Sequence, residues 1–332
     1  MSVFALSAVF GVTHADGQNA PKPLAPAGYA NEKAIRKAFR SGALAKTSID
    51  LGDLAKVVIH RDLVYAAASS RNVLDVYRPR ESIAPAPIVL FVHGGAWDHG
   101  DKKSLGAYAA HFAARGYVCM SMNYRLSDNA PYPAAVDDVR TAVAWARANA
   151  ANHGGDAGRI ALVGYSAGAH LVMLCAYKEP GLPEVQCVVD MYGPVDLTAA
   201  YARRMKAVRV FLDGSYREVP DRYRAASPLT YVRSAVPPTL IVHGDADDVV
   251  PVEQAETLAR ALEKNGVRHE FQRLAGWDHA PDRAAPVFRH CVIVMDRFFK
   301  DVLAGGRGYA RALHSPIVTD RPGARGRAPS HE

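Results

Sequence analysis

The chain has 332 residues, 49% hydrophobic and 22% charged, an ordinary globular composition that excludes a wholly disordered chain, a collagen-like repeat and a coiled coil. Its net charge of +7 is partly local: residues 305–332 hold five arginines against Asp320 and Glu332, so the remaining chain has little excess and gives no sign of nucleic-acid binding. No apolar run reaches the ~18 residues needed to cross a bilayer, which excludes a transmembrane helix and leaves no stable membrane anchor.

Residues 3–12 are mostly apolar and lead into Thr13-His14-Ala15, a small-x-Ala pattern, with Pro21, Pro23 and Pro26 following as in a linker. Residues 1–26 therefore read as a signal-like segment and linker. The expected location is periplasmic or secreted, although no basic residue precedes the run; a cytoplasmic location is the alternative. Residues 31–46 carry Ile35, Phe39 and Leu44 with partial helical spacing and read as a covering arm.

From about residue 60 the pattern becomes strand–helix alternation. Residues 73–77 alternate and read as an antiparallel-type edge strand. Residues 88–92 are solidly apolar, as in a strand buried on both faces. Further strands are predicted at 117–123, 160–163, 187–191, 240–242 and 270–274. Helical patterns fill 103–114, 134–150, 167–177, 253–265 and 286–303, with Gly116 and Gly266 just past two helix ends. This order predicts an α/β fold with a mainly parallel central sheet and helices on both faces. Residues 27–304 then form one domain. Residues 195–235 break the rhythm with Arg203, Arg204, Phe211, Tyr216 and Tyr223 and read as a small lid or pocket insertion. Residues 305–332 are Gly/Arg/Pro-rich and read as an unstructured basic tail. Cys119, Cys175, Cys187 and Cys291 form no C-x-x-C pair and sit in apolar segments, so they read as buried free thiols and not as a disulfide framework or metal ligands.

Gly164-Tyr165-Ser166-Ala167-Gly168 is a G-x-S-x-G run between a predicted strand and a predicted helix, the context in which a serine at a strained turn projects its hydroxyl into a cleft. In so tight a turn a Cβ at 164 or 168 would collide with neighbouring backbone. His93-Gly94-Gly95-Ala96-Trp97 follows the buried strand at 88–92. Its small residues let backbone N–H groups approach a developing oxyanion, and the expected donors are Gly95, Ala96 and Ala167, with Gly94 competing. A phosphate-binding reading of this loop lacks G-x-G-x-x-G and a Walker-type lysine. His93 is expected only to fix the loop, and Trp97, Tyr165 and Trp277 to line a substrate pocket.

A serine needs a general base. His279 lies after the last predicted strand and before the last helix, whereas His290 falls inside that helix and His269 precedes the strand. The base in turn needs a carboxylate to hold its tautomer. Asp245, Asp247 and Asp248 all follow the strand at 240–242; Asp245 comes early in the turn and suits bracing, which leaves Asp247 and Asp248.

These stretches, with Leu74-Asp75-Val76-Tyr77-Arg78-Pro79, Gly100-Asp101-Lys102, Asn123-Tyr124-Arg125-Leu126, residues 132–139 and residues 238–251, resemble the esterase/lipase group of the α/β-hydrolases, close to hormone-sensitive-lipase-like and bacterial feruloyl-esterase-like enzymes. The resemblance spans residues 73–300. It implies the order Ser166, Asp247, His279 for nucleophile, acid and base. The group's H-G-x-x-D-P-x-V-P pattern aligns Asp247 with the acid and puts Asp248 in place of the proline, so Asp248 stays open. Tyr165, where lipase-like members often carry an acid, points to the feruloyl-esterase-like branch. His170, on the elbow helix, is expected to be core.

The expectation is a serine carboxylic-ester hydrolase acting on small acyl or aryl esters, with a small-molecule ester as partner and no metal or organic cofactor required. The elbow helix with the H-G-G-x-W segment also resembles arylformamidases, so amide cleavage on the same triad is the alternative. A non-catalytic binding module of this fold is the alternative of another class.

Overall fold

The computed structural model describes residues 32–81, 85–178 and 185–303; the signal-like segment and the basic tail lie outside them. Eight strands run in the order β1 (Val57–Val64), β2 (Val73–Pro79), β3 (Ala86–Val92), β4 (Val118–Met122), β5 (Gly155–Tyr165), β6 (Cys187–Met191), β7 (Thr239–Gly244) and β8 (His269–Leu274). They form one sheet in the spatial order β1-β2-β4-β3-β5-β6-β7-β8. β1 and β2 pair antiparallel, as do β2 and β4, and from β4 onward every pairing is parallel.

The helices are α1 (Glu32–Ser41), α2 (Leu51–Ala55), α3 (Gly106–Ala113), α4 (Ala134–Ala148), α5 (Ala167–Tyr177), α6 (Ala200–Arg204), α7 (Lys206–Phe211), α8 (Pro220–Ala225), α9 (Glu253–Lys264) and α10 (Ala285–Leu303). Among the described residues no helix is long and apolar enough to cross a membrane.

Alternation along each strand sorts the core into two layers. In β3, Ile88, Leu90 and Val92 face the layer built with α4, α5 and α9, while Val89 and Phe91 face the layer built with α3 and α10. Both faces are covered, which is why the central strands are solid apolar runs with no polar side. All four cysteines are buried free thiols inside these layers.

β1 is the one strand the sequence pattern does not announce. His60, Arg61 and Asp62 interrupt its alternation, and the pairing with β2 shifts between His60 and Leu63, a bulge of the sort that edge strands tolerate. The arm at 31–46 contains α1, and its Ile35, Ala38 and Leu44 pack on the α3/α10 layer; α2 follows it in the chain. Residues 195–235 contain α6, α7 and α8, and Leu197, Tyr201, Met205 and Val208 of this segment border the same cavity as Ser166.

Candidate active site

The β5–α5 turn is shaped by steric necessity. Ser166 sits at φ 52°, ψ −118°, a region costly for a residue with a Cβ. A Cβ on Gly164 would lie 2.3 Å from the Gly168 carbonyl oxygen, and one on Gly168 would lie 2.2 Å from that of Val92. Both collisions are with backbone, so the elbow closes only with glycine at each end. The Ser166 N–H donates to the Met191 carbonyl at 2.8 Å, which ties the elbow to β6.

Three side chains far apart in sequence meet at this rim. Ser166 Oγ lies 2.9 Å from His279 Nε2, and His279 Nδ1 lies 2.7 Å from Asp247 Oδ2. The carboxylate can only accept from Nδ1–H, which leaves Nε2 bare toward the serine hydroxyl. Asp247 Oδ1 accepts from the Val249 and Val250 N–H groups at 2.9 and 2.8 Å. Burial acts to raise the Asp247 pKa, but hydrogen bonds from His243 and His279 prevail and hold it at about 2. Asp248 is exposed and takes no part in this series. Asp245 accepts from the Gly276 N–H at 2.6 Å and pairs with Arg273 at 3.2 Å, so it braces the His279 loop against β7.

Behind the carboxylate lies a second histidine, His243, which opens the H-G-x-x-D pattern but is assigned no role by the sequence. His243 Nε2 lies 2.8 Å from the Val250 carbonyl and 3.2 Å from Asp247 Oδ2. Both partners accept, so Nε2 carries the proton and is shared between them. Asp190 occupies the same sheet face on the neighbouring strand, its register partner being Ile241, two residues before His243. Burial pushes the Asp190 carboxyl up to about 7, against the pull of His243 and the Gly193 N–H. A carboxyl raised in the fold binds its proton in the native state where the unfolded chain has released it, so it lowers stability as pH rises from about 4 to about 7. Asp190→Asn is therefore expected to match the parent near pH 4 and exceed it at pH 8 by at most roughly 4 kcal/mol; paired denaturant unfolding at the two pH values checks this.

On its other side His279 meets Tyr192. The rings are 5.0 Å apart and edge-on, and the Tyr192 hydroxyl donates to Asp282 Oδ1 at 2.6 Å while Tyr108 donates to Oδ2 at 3.2 Å. Tyr192 holds φ 47°. Asp282 lies three residues after His279, so the loop carrying the base also carries the anchor of the ring that packs on it.

The loop after β3 is left-handed for three residues: Gly95, Ala96 and Trp97 have φ of 114°, 47° and 64°. Ala96, Trp97 and Ala167 border a narrow apolar cavity of about 30 Å³ beside Ser166. Gly95 does not border it; its carbonyl accepts from the Asp98 and His99 N–H groups instead. Gly94 packs against the elbow, where a Cβ would lie 2.7 Å from the Tyr165 carbonyl oxygen. His93 fixes the loop: Nδ1 lies 2.7 Å from the Gly94 carbonyl, and the ring stacks on Tyr124 at 4.3 Å. Burial lowers its pKa to about 4, so it is neutral. The other stretches singled out in the sequence support this loop from below. Buried Lys102 pairs with Asp75 at 2.5 Å and Asp62 at 2.8 Å, Asn123 accepts from the Lys102 N–H at 2.6 Å, and Arg125 pairs with Asp138 at 2.7 Å.

His170 is buried but is more than filler. The Trp97 indole N–H donates to its Nδ1 at 3.2 Å, and its Nε2 lies 2.7 Å from the Ala226 carbonyl. Burial lowers its pKa to about 4, which preserves the neutral tautomer that can accept at one nitrogen and donate at the other. With Trp97 stacked on Phe211 at 4.7 Å, this ring joins the elbow helix, the loop after β3 and residues 195–235. That segment supplies Leu197, Tyr201, Met205 and Val208 to the cavity wall.

Two expected pocket residues face elsewhere. Tyr165 and Trp277 do not border the cavity beside Ser166. The residue before Ser166 points to the opposite sheet face by strand alternation, where Tyr165 packs against Tyr108 and Tyr192. Trp277 is fully buried in that same layer, and its backbone carbonyl accepts from the Ala246 N–H; a large apolar ring at this point gains more from the core than from the cleft.

Residues 74–262 match the BD-FAE family, more than half of the chain. The chain is 35% identical over 278 residues to Esterase LipQ of Mycobacterium tuberculosis (strain ATCC 25618 / H37Rv), covering 77% of this chain and 66% of LipQ. It is 36% identical over 247 residues to Esterase LipC of the same organism, covering 66% of this chain and 61% of LipC. The chain thus spans less than two thirds of the length of these curated relatives. A solved structure described as a truncated form of a carbohydrate esterase from gut microbiota matches with a TM-score of 0.66 at 26% identity, over 75% of this chain and 97% of that one. The mainly parallel sheet with helices on both faces is the α/β-hydrolase fold of these esterases, and the chain belongs to the BD-FAE family.

Proposed function

We propose that this protein hydrolyses carboxylic esters through an acyl-enzyme on Ser166. The observation that carries the reading is the continuous series from Ser166 Oγ to His279 at 2.9 Å and from His279 to Asp247 at 2.7 Å. His279 Nε2 takes the hydroxyl proton as Ser166 attacks the acyl carbon, and the buried Asp247 carboxylate stabilises the imidazolium that results. The oxyanion is received by backbone N–H groups of Ala96 and Ala167, which border the same cavity as Ser166, whereas Gly95, the other expected donor, does not border it. His279 then protonates the departing alcohol. Water repeats the cycle on the acyl-enzyme and releases the acid.

The narrow, apolar cavity next to Ser166 receives the acyl side. Its volume of about 30 Å³ holds roughly one or two water-sized groups, which suits a short acyl chain better than a cinnamic acid. Relatives named as esterases favour the ester reading over the formamide one.

A fluorophosphonate probe is the direct test. It is expected to add once, with the adduct mapped by mass spectrometry to the peptide containing Ser166, and to abolish hydrolysis of p-nitrophenyl acetate in proportion to labelling. Labelling elsewhere, or full labelling with activity retained, refutes the assignment.

A further inference from the structure

We propose that a second cavity, between α1, the start of α3 and Arg283, binds a soluble organic phosphate monoester. This goes beyond the hydrolase reading and does not depend on it.

The cavity has a volume of about 530 Å³, within the roughly 300–1,000 Å³ of small-molecule sites. It shares no lining residue with the cavity beside Ser166. Its wall gathers cations from three stretches of chain: Arg36 and Arg40 from α1, Lys46 from the segment after it, and Arg283 from the turn after His279. On α1, Arg36, Phe39 and Arg40 are three and four residues apart and share one helix face, while Ile35 and Ala38 turn into the core. Lys46 Nζ lies 5.7 Å from the centre of the Phe39 ring, which puts its charge beside the cavity's aromatic wall. Backbone bonds hold the Lys46 and Arg283 segments together: the Thr47 N–H donates to the Arg283 carbonyl at 2.8 Å, and the Ala285 N–H to the Ala45 carbonyl at 2.9 Å.

Among the described residues, Arg40, Lys46 and Arg283 form no ion pair. Asp282 is the one carboxylate in the lining. Its two oxygens accept from the Tyr192 and Tyr108 hydroxyls at 2.6 and 3.2 Å, so it is engaged with the core. The lining therefore sets four positive charges against at most one negative. Like charges around one concavity repel each other and give the fold nothing in return, but they concentrate anions there. The neutral donors of the wall are already committed: Thr47 Oγ1 donates to the Asp282 carbonyl at 2.7 Å, and Ser104 Oγ to the Asp101 carbonyl at 2.8 Å. Recognition thus falls to the cations.

That choice of donors selects the ligand. A phosphate monoester brings a charge of about −1.5 to −2 at neutral pH and three strong acceptor oxygens, more than a carboxylate offers. The planar fork of arginine takes two such oxygens at once. The cavity is far larger than a phosphate group, so it has room for an organic body, for which Phe39 and Ala107 provide carbon surface.

Calorimetric titration of the full chain with phenyl phosphate tests this. One molecule is expected to bind per chain with a Kd of about 0.1 mM or below at low ionic strength, weakening as salt is added. The double variant Arg40→Gln/Arg283→Gln is expected to bind at least about tenfold more weakly. Both side chains are exposed, so the variant should melt as the parent does. Inorganic phosphate, which lacks the ring, is expected to bind about tenfold more weakly than phenyl phosphate. Absence of binding to the parent overturns the proposal whatever the variant does. Equal affinity in parent and variant overturns it too, since the ligand then sits elsewhere, for example on the arginines of residues 305–332. Inorganic phosphate binding as tightly as phenyl phosphate overturns the assigned ligand class. Ester turnover does not enter these measurements, so their failure leaves the hydrolase reading standing.

Discussion

Ser166→Ala is expected to lower kcat for p-nitrophenyl acetate by about 10⁴- to 10⁶-fold while leaving the fold intact. The size follows from what the hydroxyl does. Without it no acyl-enzyme forms, and His279 and Asp247 lose the step they act on; residues that work as a unit fail together, so the loss of one approaches the loss of all. What survives is catalysis from the backbone donors at Ala96 and Ala167 and from binding, which keeps the residual rate above that of water. The substitution removes one oxygen from a half-buried side chain and leaves Gly164 and Gly168 in place, so the thermal midpoint should move little. A rate within tenfold of the parent, with a matching melting curve, would show that the nucleophile lies elsewhere.

Asp247→Asn should cost roughly 10³- to 10⁴-fold in kcat, and Asp248→Asn should stay within about twofold. The two residues are adjacent in sequence and opposite in circumstance. Asp247 holds His279 at 2.7 Å and two backbone N–H groups, whereas Asp248 is exposed. An amide at 247 can offer its N–H₂ to His279 and so favour the tautomer with the proton on Nε2, which cannot accept from Ser166. The pair of variants thus separates the two candidates that alignment of the Val250-Pro251 segment leaves side by side. Stability supplies a second readout. The Asp247 carboxyl is depressed to about 2, so its contribution is fully present above about pH 4 and is lost as pH falls through about 2. The parent should therefore lose stability more steeply than Asp247→Asn below about pH 4, a difference that acid titration followed by circular dichroism can measure.

Much of this was legible in one dimension because it rests on local rules. The G-x-S-x-G run is readable because two backbones must touch, and only glycine permits the 2.2 and 2.3 Å approaches that a Cβ would create. The parallel strands are readable because burial on both faces demands unbroken apolar runs. β1 was not, since a bulged edge strand satisfies neither the alternating nor the solid pattern. Tyr165 and Trp277 lie beside Ser166 and His279 in sequence, and proximity suggested the pocket; strand alternation and core packing sent both rings to the other layer. Tyr192 and Asp282 belong to no motif, because what qualifies them is that the Tyr192 ring packs on His279 and its hydroxyl donates to Asp282, and Tyr192 shares no sequence neighbourhood with either.

The linear order of residues determined the elbow and the layered class of the fold, since each follows from sterics or periodicity acting within a few turns of chain, and it placed Ser166, the aspartate pair 247/248 and His279 in that order along the chain. Only the tertiary structure decided which of two adjacent aspartates meets the imidazole and which aromatic rings face the cleft. Those outcomes depend on which side of the sheet a side chain leaves from and on what the neighbouring strands and helices bring to meet it.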